Sequence, residues 1–75
     1  MNKLTLDKVG LNQKARIYSI VNDDIRCRML DLGFIKGTVI VPVFSSPVSD
    51  PVAYRINNMT IALRNDEARY VEVTI

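Results

Sequence analysis

Short apolar runs alternate with turn-forming polar clusters along the chain, and the apolar period lengthens once. Residues 15–21, ARIYSIV, are rich in β-branched and aromatic side chains and predict a strand. Their alternation is imperfect. Ala15 and Ile17 fall on one face and Ile20 on the other, so a bulge or bend is expected near Ser19. Asn22-Asp23-Asp24 breaks this strand. Ile25, Met29 and Leu32 then follow at i, i+4, i+7, which puts them on one face of a helix. Asp23 or Asp24 is positioned to cap the helix start, because a carboxylate accepts the free N–H groups of a first turn. Gly33 suits the left-handed position just past a helix end, and Lys36-Gly37 is a second turn signal three residues on. Residues 26–38, RCRMLDLGFIKGT, therefore predict a short helix that stops hard and turns directly into a strand.

Period-two patterning dominates the rest. Residues 38–44, TVIVPVF, predict the second strand, with Ile40 and Phe44 on one face and Val39, Val41 and Val43 on the other. Pro42 cannot donate to a ladder, so this strand is expected at a sheet edge or bent at Pro42. Residues 45–51, SSPVSDP, read as the longest loop. Residues 52–56 and 59–63 predict two strands joined by a tight Asn57-Asn58 hairpin, since asparagine tolerates positive φ. Residues 65–68 read as one helical turn with Asn65 at its start. Residues 70–75 are the last strand, with Val71, Val73 and Ile75 facing in. Leu4, Leu6 and Val9 tuck an opening segment against the core. A five-stranded sheet in so short a chain leaves bad edges unless it curls. The expected fold is mainly β: a small five-stranded SH3-like barrel with one short α-helix between the first and second strands.

Seventy-five residues make one domain, 1–75, with a small core. A hydrophobic fraction of 48% favours a folded chain over a disordered one. Ten Lys/Arg against eight Asp/Glu leave a net charge of +2, spread without a block from Lys3 to Arg69. That balance argues against a nucleic-acid or anionic-membrane partner. No run approaches the roughly 20 apolar residues of a membrane span, so no membrane insertion is expected. The first ten residues lack the apolar core of a signal peptide, and a cytoplasmic location is expected. The single cysteine, Cys27, rules out an intrachain disulfide. A lone helical cysteine is more often an ordinary buried or half-buried residue.

The missing chemistry narrows the function. There is no histidine, which removes the commonest general base and the commonest metal ligand. With one thiol as well, no resident metal or cofactor is expected. Asp66-Glu67 reads as a solvated cap. Three glycines build no phosphate cradle, and the five aromatic residues form no basic stacking pattern. No catalytic residue is assigned, and a binding or regulatory module is left.

Four motifs in order, Arg26-x-Arg28-Met29-x-Asp31-Leu32-Gly33-Phe34-x-x-Gly37-Thr38, Pro47-x-x-Asp50-Pro51, Ile61-Ala62-Leu63-Arg64 and Glu67-Ala68, resemble the ferrous-iron transport protein A (FeoA) family over residues 4–75. The resemblance implies an SH3-like barrel of bacterial origin. It also implies an accessory role beside FeoB, the membrane ferrous-iron transporter with a cytoplasmic G-protein domain. The chain departs from the family pattern where Lys36 and Pro42 stand and at Asn57-Asn58. The runner-up is an SH3-like module related to the C-terminal domain of iron-dependent transcriptional repressors. A free-standing nucleic-acid-binding barrel is disfavoured by the weak charge.

The helix also suggests a docking site. Leu30 lies about 140° around the helix from Ile25 at ~100° per residue, outside the core face. Leu30 with Phe34 at the outer edge of the corner, bordered by Arg26, Arg28 and Lys36, is the expected partner-binding spot. The alternative is that Leu30 and Phe34 fold back onto the barrel, leaving a purely structural corner.

Overall fold

The structure, a computed structural model, describes residues 3–48 and 50–75; the part of the predicted loop at Ser49 and the first two residues lie outside them. In chain order the elements are β1 (Lys3–Thr5), a 3-10 turn (Leu6–Lys8), β2 (Ala15–Ile20), α1 (Asp23–Asp31), β3 (Val39–Ser45), β4 (Val52–Ile56), β5 (Met59–Leu63), α2 (Asn65–Ala68) and β6 (Val71–Thr74). All strand pairings are antiparallel, in the order β1-β6-β2-β3-β4-β5.

The sheet has six strands rather than five, and the main helix lies between the second and third. The extra strand is in the opening segment. Its three residues pair along β6, with Leu4 opposite Val73. Three residues carry too little alternation to be read from the sequence as a strand. Leu6 and Val9 do tuck into the core, at 0% and 8% exposure.

The sheet is bent around one core that draws on both of its ends. Leu6, Ile17, Ile20, Met29, Phe34, Ile40, Tyr54, Ile56, Leu63, Val71 and Val73 form a single buried cluster, against which Leu4 of β1 and Ile61 of β5 also pack. The two edge strands therefore share one interior, which makes the fold mainly β and SH3-like. No polar or charged side chain is buried among the described residues.

Two irregularities bend the sheet. The first is in β2, where the register to β6 shifts between Ile17 and Ser19. The extra residue lets Ala15, Ile17 and Ile20 all point inward. The second is in β3, where the register to β4 shifts between Pro42 and Phe44. β3 pairs with β4 along its length but with β2 only at Val39 and Ile40, so Pro42 has a strand partner on one side only, Tyr54 of β4, and the strand bends beside it as expected. The Pro42 ring is buried, and its carbonyl accepts the Asn12 N–H at 2.6 Å. The shift also moves Phe44 off the face of Ile40. Ile40 is fully buried and Phe44 is 65% exposed, against the alternation expected for an unbroken strand. The β4–β5 hairpin turns through Asn57 (φ 52°) and Asn58 (φ 65°), the doubly positive turn that matches strand twist.

Candidate functional site: a cleft at the helix corner

The corner begins at Asn22, not at either aspartate. The Asn22 Oδ1 accepts the Asp24 N–H at 2.8 Å and caps α1. Asp23 instead pairs with Arg26 at 3.1 Å. Along α1, Met29 is fully buried, and Ile25 and Leu32 pack against the core. The helix then ends in two crossed hydrogen bonds: Gly33 N–H to Leu30 O at 3.0 Å and Phe34 N–H to Met29 O at 3.0 Å. That is the Schellman arrangement, with Gly33 at φ +96° and a hydrophobic contact expected between the residues it joins, Met29 and Phe34. Both are in the core, Phe34 at 1% exposure. Gly37, at φ +93°, makes the second turn. The Gly37 N–H donates to Ile17 O at 2.8 Å and the Ile17 N–H to Thr38 O at 2.9 Å, stitching the corner onto β2.

This construction leaves a cleft of about 220 Å³ between α1, the corner and β2, lined by Ile17, Tyr18, Ser19, Ile20, Arg26, Leu30, Phe34 and Lys36. Four of the five residues singled out in the sequence meet there, in different roles. Leu30 is on the lip, 46% exposed. Phe34 is a correction: its side chain is core, because the Schellman turn folds it back under the helix, and it forms the floor rather than an exposed spot. The Arg26 Nη2 donates to Ile20 O at 3.1 Å, tying the helix start to the end of β2. Lys36 lies over the Tyr18 ring, 4.9 Å from its centroid. Arg28 is not among the lining residues. Its guanidinium pairs with Glu67 and clamps α1 to α2.

Sequence reasoning missed three parts of this neighbourhood. Tyr18 was read only as a strand residue, yet it carries the ammoniums of both Lys36 and Lys3, the latter 4.5 Å from the ring centroid. Glu67 does cap α2, accepting the Arg64 N–H at 3.2 Å, and the part the sequence did not show is its pairing with Arg28. Asp50 was read as a loop residue. Its Oδ1 accepts the Asn65 N–H at 3.0 Å, and its backbone exchanges hydrogen bonds with the Ser46 hydroxyl, so the loop after β3 is fastened to α2. The pattern Pro47-x-x-Asp50-Pro51 offered the only sequence signal for that anchor.

A larger hollow of about 330 Å³ lies between Lys14, Ala15, Arg16, Val39, Thr74 and Ile75. None of these residues belongs to the four sequence motifs. Cys27 is exposed, not buried or half-buried as expected of it. Among the described residues no three His, Cys, Asp or Glu side chains gather as a metal-binding group. With no histidine in the chain, the residues present do not fit a resident metal ion. No helix among the described residues is long and apolar enough to cross a membrane.

Comparison with known proteins now connects these features. The sequence matches the FeoA domain over residues 4–75. A putative Fe(2+) transport protein A from Campylobacter jejuni is 29% identical over 73 residues, covering 96% of this chain and 99% of that protein. A Porphyromonas gingivalis protein that fuses Fe(2+) transport protein A to the Fe(2+) transporter FeoB is 40% identical over 50 residues. That match covers 67% of this chain but only 6% of the fusion protein. Among solved structures, a FeoA-like protein from Clostridium acetobutylicum superimposes with a TM-score of 0.91 at 28% identity, over 100% of this chain and 88% of that one. FeoA from Stenotrophomonas maltophilia, described as a prokaryotic SH3 domain protein and solved with zinc, gives 0.82 at 33% identity, over 93% and 88%. A manganese-dependent transcriptional repressor gives 0.83 at 11% identity, over 96% of this chain and 41% of the repressor, a likeness of fold alone. The family match spans the corner, the anchored loop and the clamp between the helices, and this chain belongs to that family: the FeoA domain family, which is involved in Fe(2+) transport.

Proposed function

We propose that the chain is a non-enzymatic accessory protein, a single domain over residues 1–75, that docks on the cytoplasmic G-protein region of a FeoB-type transporter and supports or regulates Fe(II) uptake. Fe(II) is then the transporter's cargo and not a resident of this chain. The observation that carries the reading is the P. gingivalis relative, in which a transport protein A segment and FeoB are one polypeptide. Tethering raises the effective concentration of two parts that act together.

The helix corner is the docking surface in this reading. Leu30 gives an exposed aliphatic group next to a preformed apolar cleft, and Arg26 and Lys36 border it. Tyrosine and arginine are enriched at interface hot spots, and Tyr18 and Arg26 both line this cleft. Phe34 supports the surface from beneath, and Arg28 acts through the orientation of α1. The repressor-type reading has only a shared fold behind it, and fold does not carry function.

Uptake measurements test the proposal. Cells lacking this chain but retaining the transporter are expected to take up Fe(II) more slowly, with recovery on wild-type complementation and not on complementation with Leu30→Ser. Unchanged uptake in the deletion strain would overturn the accessory role.

A further inference from the structure

The cations around α1 are not alike. Arg26 is paired with Asp23 and Arg28 with Glu67. Lys3 and Lys36, which converge on Tyr18 at 4.5 and 4.9 Å from its centroid, have no carboxylate within ion-pair distance among the described residues. They come from β1 and from the corner, far apart in sequence, and both reach the Tyr18 ring; Lys36 also lines the cleft. Two unneutralised ammoniums on one ring leave a local excess of positive charge, which favours an anion beside it. Just inside the cleft the lining is apolar: Ile17, Leu30 and Phe34.

The size of the cleft limits what enters. About 220 Å³ falls below the roughly 300–1,000 Å³ of pockets that enclose a small-molecule ligand. It suits one side chain presented by a larger partner. The floor ring, Phe34, is buried edge and all at 1% exposure, so it offers no open face for stacking a base.

We infer that the cleft takes a protein segment carrying one aliphatic side chain with an acidic residue beside it. The aliphatic group seats against the exposed Leu30 and the Tyr18 ring, and the carboxylate meets Lys36 at the cleft, within the field of Lys3. The inference rests on the reading of the corner as a docking surface and adds the chemistry of what docks there. Charge at the rim then selects among partners, and the apolar seat supplies the hold.

Amide NMR of the full chain tests this with two synthetic peptides, one with a central leucine flanked by glutamates and one with the same leucine flanked by lysines. The glutamate peptide is expected to shift amides at Tyr18, Leu30, Phe34 and Lys36, and to bind about tenfold more tightly than the lysine peptide. The double variant Lys3→Glu with Lys36→Glu is expected to reverse that order. Both lysines are exposed, so the variant keeps the fold, and its dispersed spectrum verifies that. Equal binding of the two peptides overturns the inference. So does the absence of shifts at the cleft, or equal displacement of the glutamate peptide by a single-stranded oligonucleotide. The peptides do not depend on the transporter. If the glutamate peptide binds here while the transporter's cytoplasmic region does not bind at all, the docking reading fails and the cleft chemistry stands.

Discussion

Gly33 shows how much one residue can determine. Its φ of +96° is a conformation that side chains resist, and a Cβ there would also collide with the Asn57 amide at the tip of the β4–β5 hairpin. The Asn57 Nδ2 donates to the Gly33 carbonyl at 3.4 Å, so the hairpin rests on the helix end. Gly33→Ala is therefore expected to destabilise by about 1 kcal/mol or more in urea. The cost should shrink in an Asn57→Gly background, where only the backbone strain remains. The helix stop was legible in the sequence because glycine after a period-3.6 run has one common use. The contact with Asn57 was not, because it joins residues 24 apart through the curl of the sheet. Tyr54 is a second such case. It is 1% exposed, and burial, helped by the negative charges of Asp7 and Asp50, pushes its hydroxyl up from 10.0 to about 12. The unfolded chain ionises at the lower value. Tyr54 thus contributes stability that is fully present below pH 10 and is lost as pH rises toward 12. Urea midpoints are expected to fall across that window in wild type, and Tyr54→Phe should remove the part of the fall that Tyr54 contributes.

At the scale of elements, the two helices and the loop after β3 hold one another. α1 is capped by Asn22, so Asn22→Ala is expected to cost about 1 kcal/mol. An exposed pair such as Arg28–Glu67 contributes little by itself, and its role is to fix the angle of α1 to α2. Asp50 is more consequential, because its carboxylate takes the first N–H of α2. Asp50→Ala should speed hydrogen exchange at the Asn65 amide, while Asp50→Asn, which keeps an acceptor oxygen, should largely preserve protection. Equal exchange in all three proteins would show that the loop is not fastened there. Periodicity made β2, β4, β5 and the helix face readable, including the bulge that Ala15, Ile17 and Ile20 demand. At β3 the strand bends beside Pro42, as a proline signals, and β2 pairs only with Val39 and Ile40. Periodicity misled at Phe44, which the register shift turns outward. Caps, clamps and anchors depend on which side chains meet after folding, and local spacing does not carry that information.

At the scale of the molecule, a six-stranded sheet closes over one interior and leaves its chemistry on the outside. Among the described residues no charged side chain is buried and no metal-ligand group assembles. Calorimetric titration with Fe(II) or Zn(II) under reducing conditions is accordingly expected to show no stoichiometric binding at micromolar concentration; a tight isotherm that survives Cys27→Ser would contradict this. Hydrolysis of GTP or ATP by the isolated chain is expected to be absent, since three glycines form no phosphate cradle. Sustained turnover lost on a point mutation within the chain would reverse that expectation. The fold class followed from many short strands in a small chain, whereas the cleft arose only when α1, β2 and the corner came together. The proposed function rests on that cleft as a surface. Leu30 and Phe34 test it because one is 46% and the other 1% exposed. Phe34→Ser should unfold the chain by several kcal/mol, as core truncations of about 3–5 kcal/mol do. Leu30→Ser should keep the urea midpoint within about 1 kcal/mol of wild type. The direct measurement is calorimetric binding of wild type and Leu30→Ser to the soluble cytoplasmic region of the FeoB-type transporter. Wild type is expected to give a stoichiometric isotherm, and Leu30→Ser, still folded, to lose most of that affinity. Equal affinity of the two proteins would contradict the assignment of this corner as the docking surface.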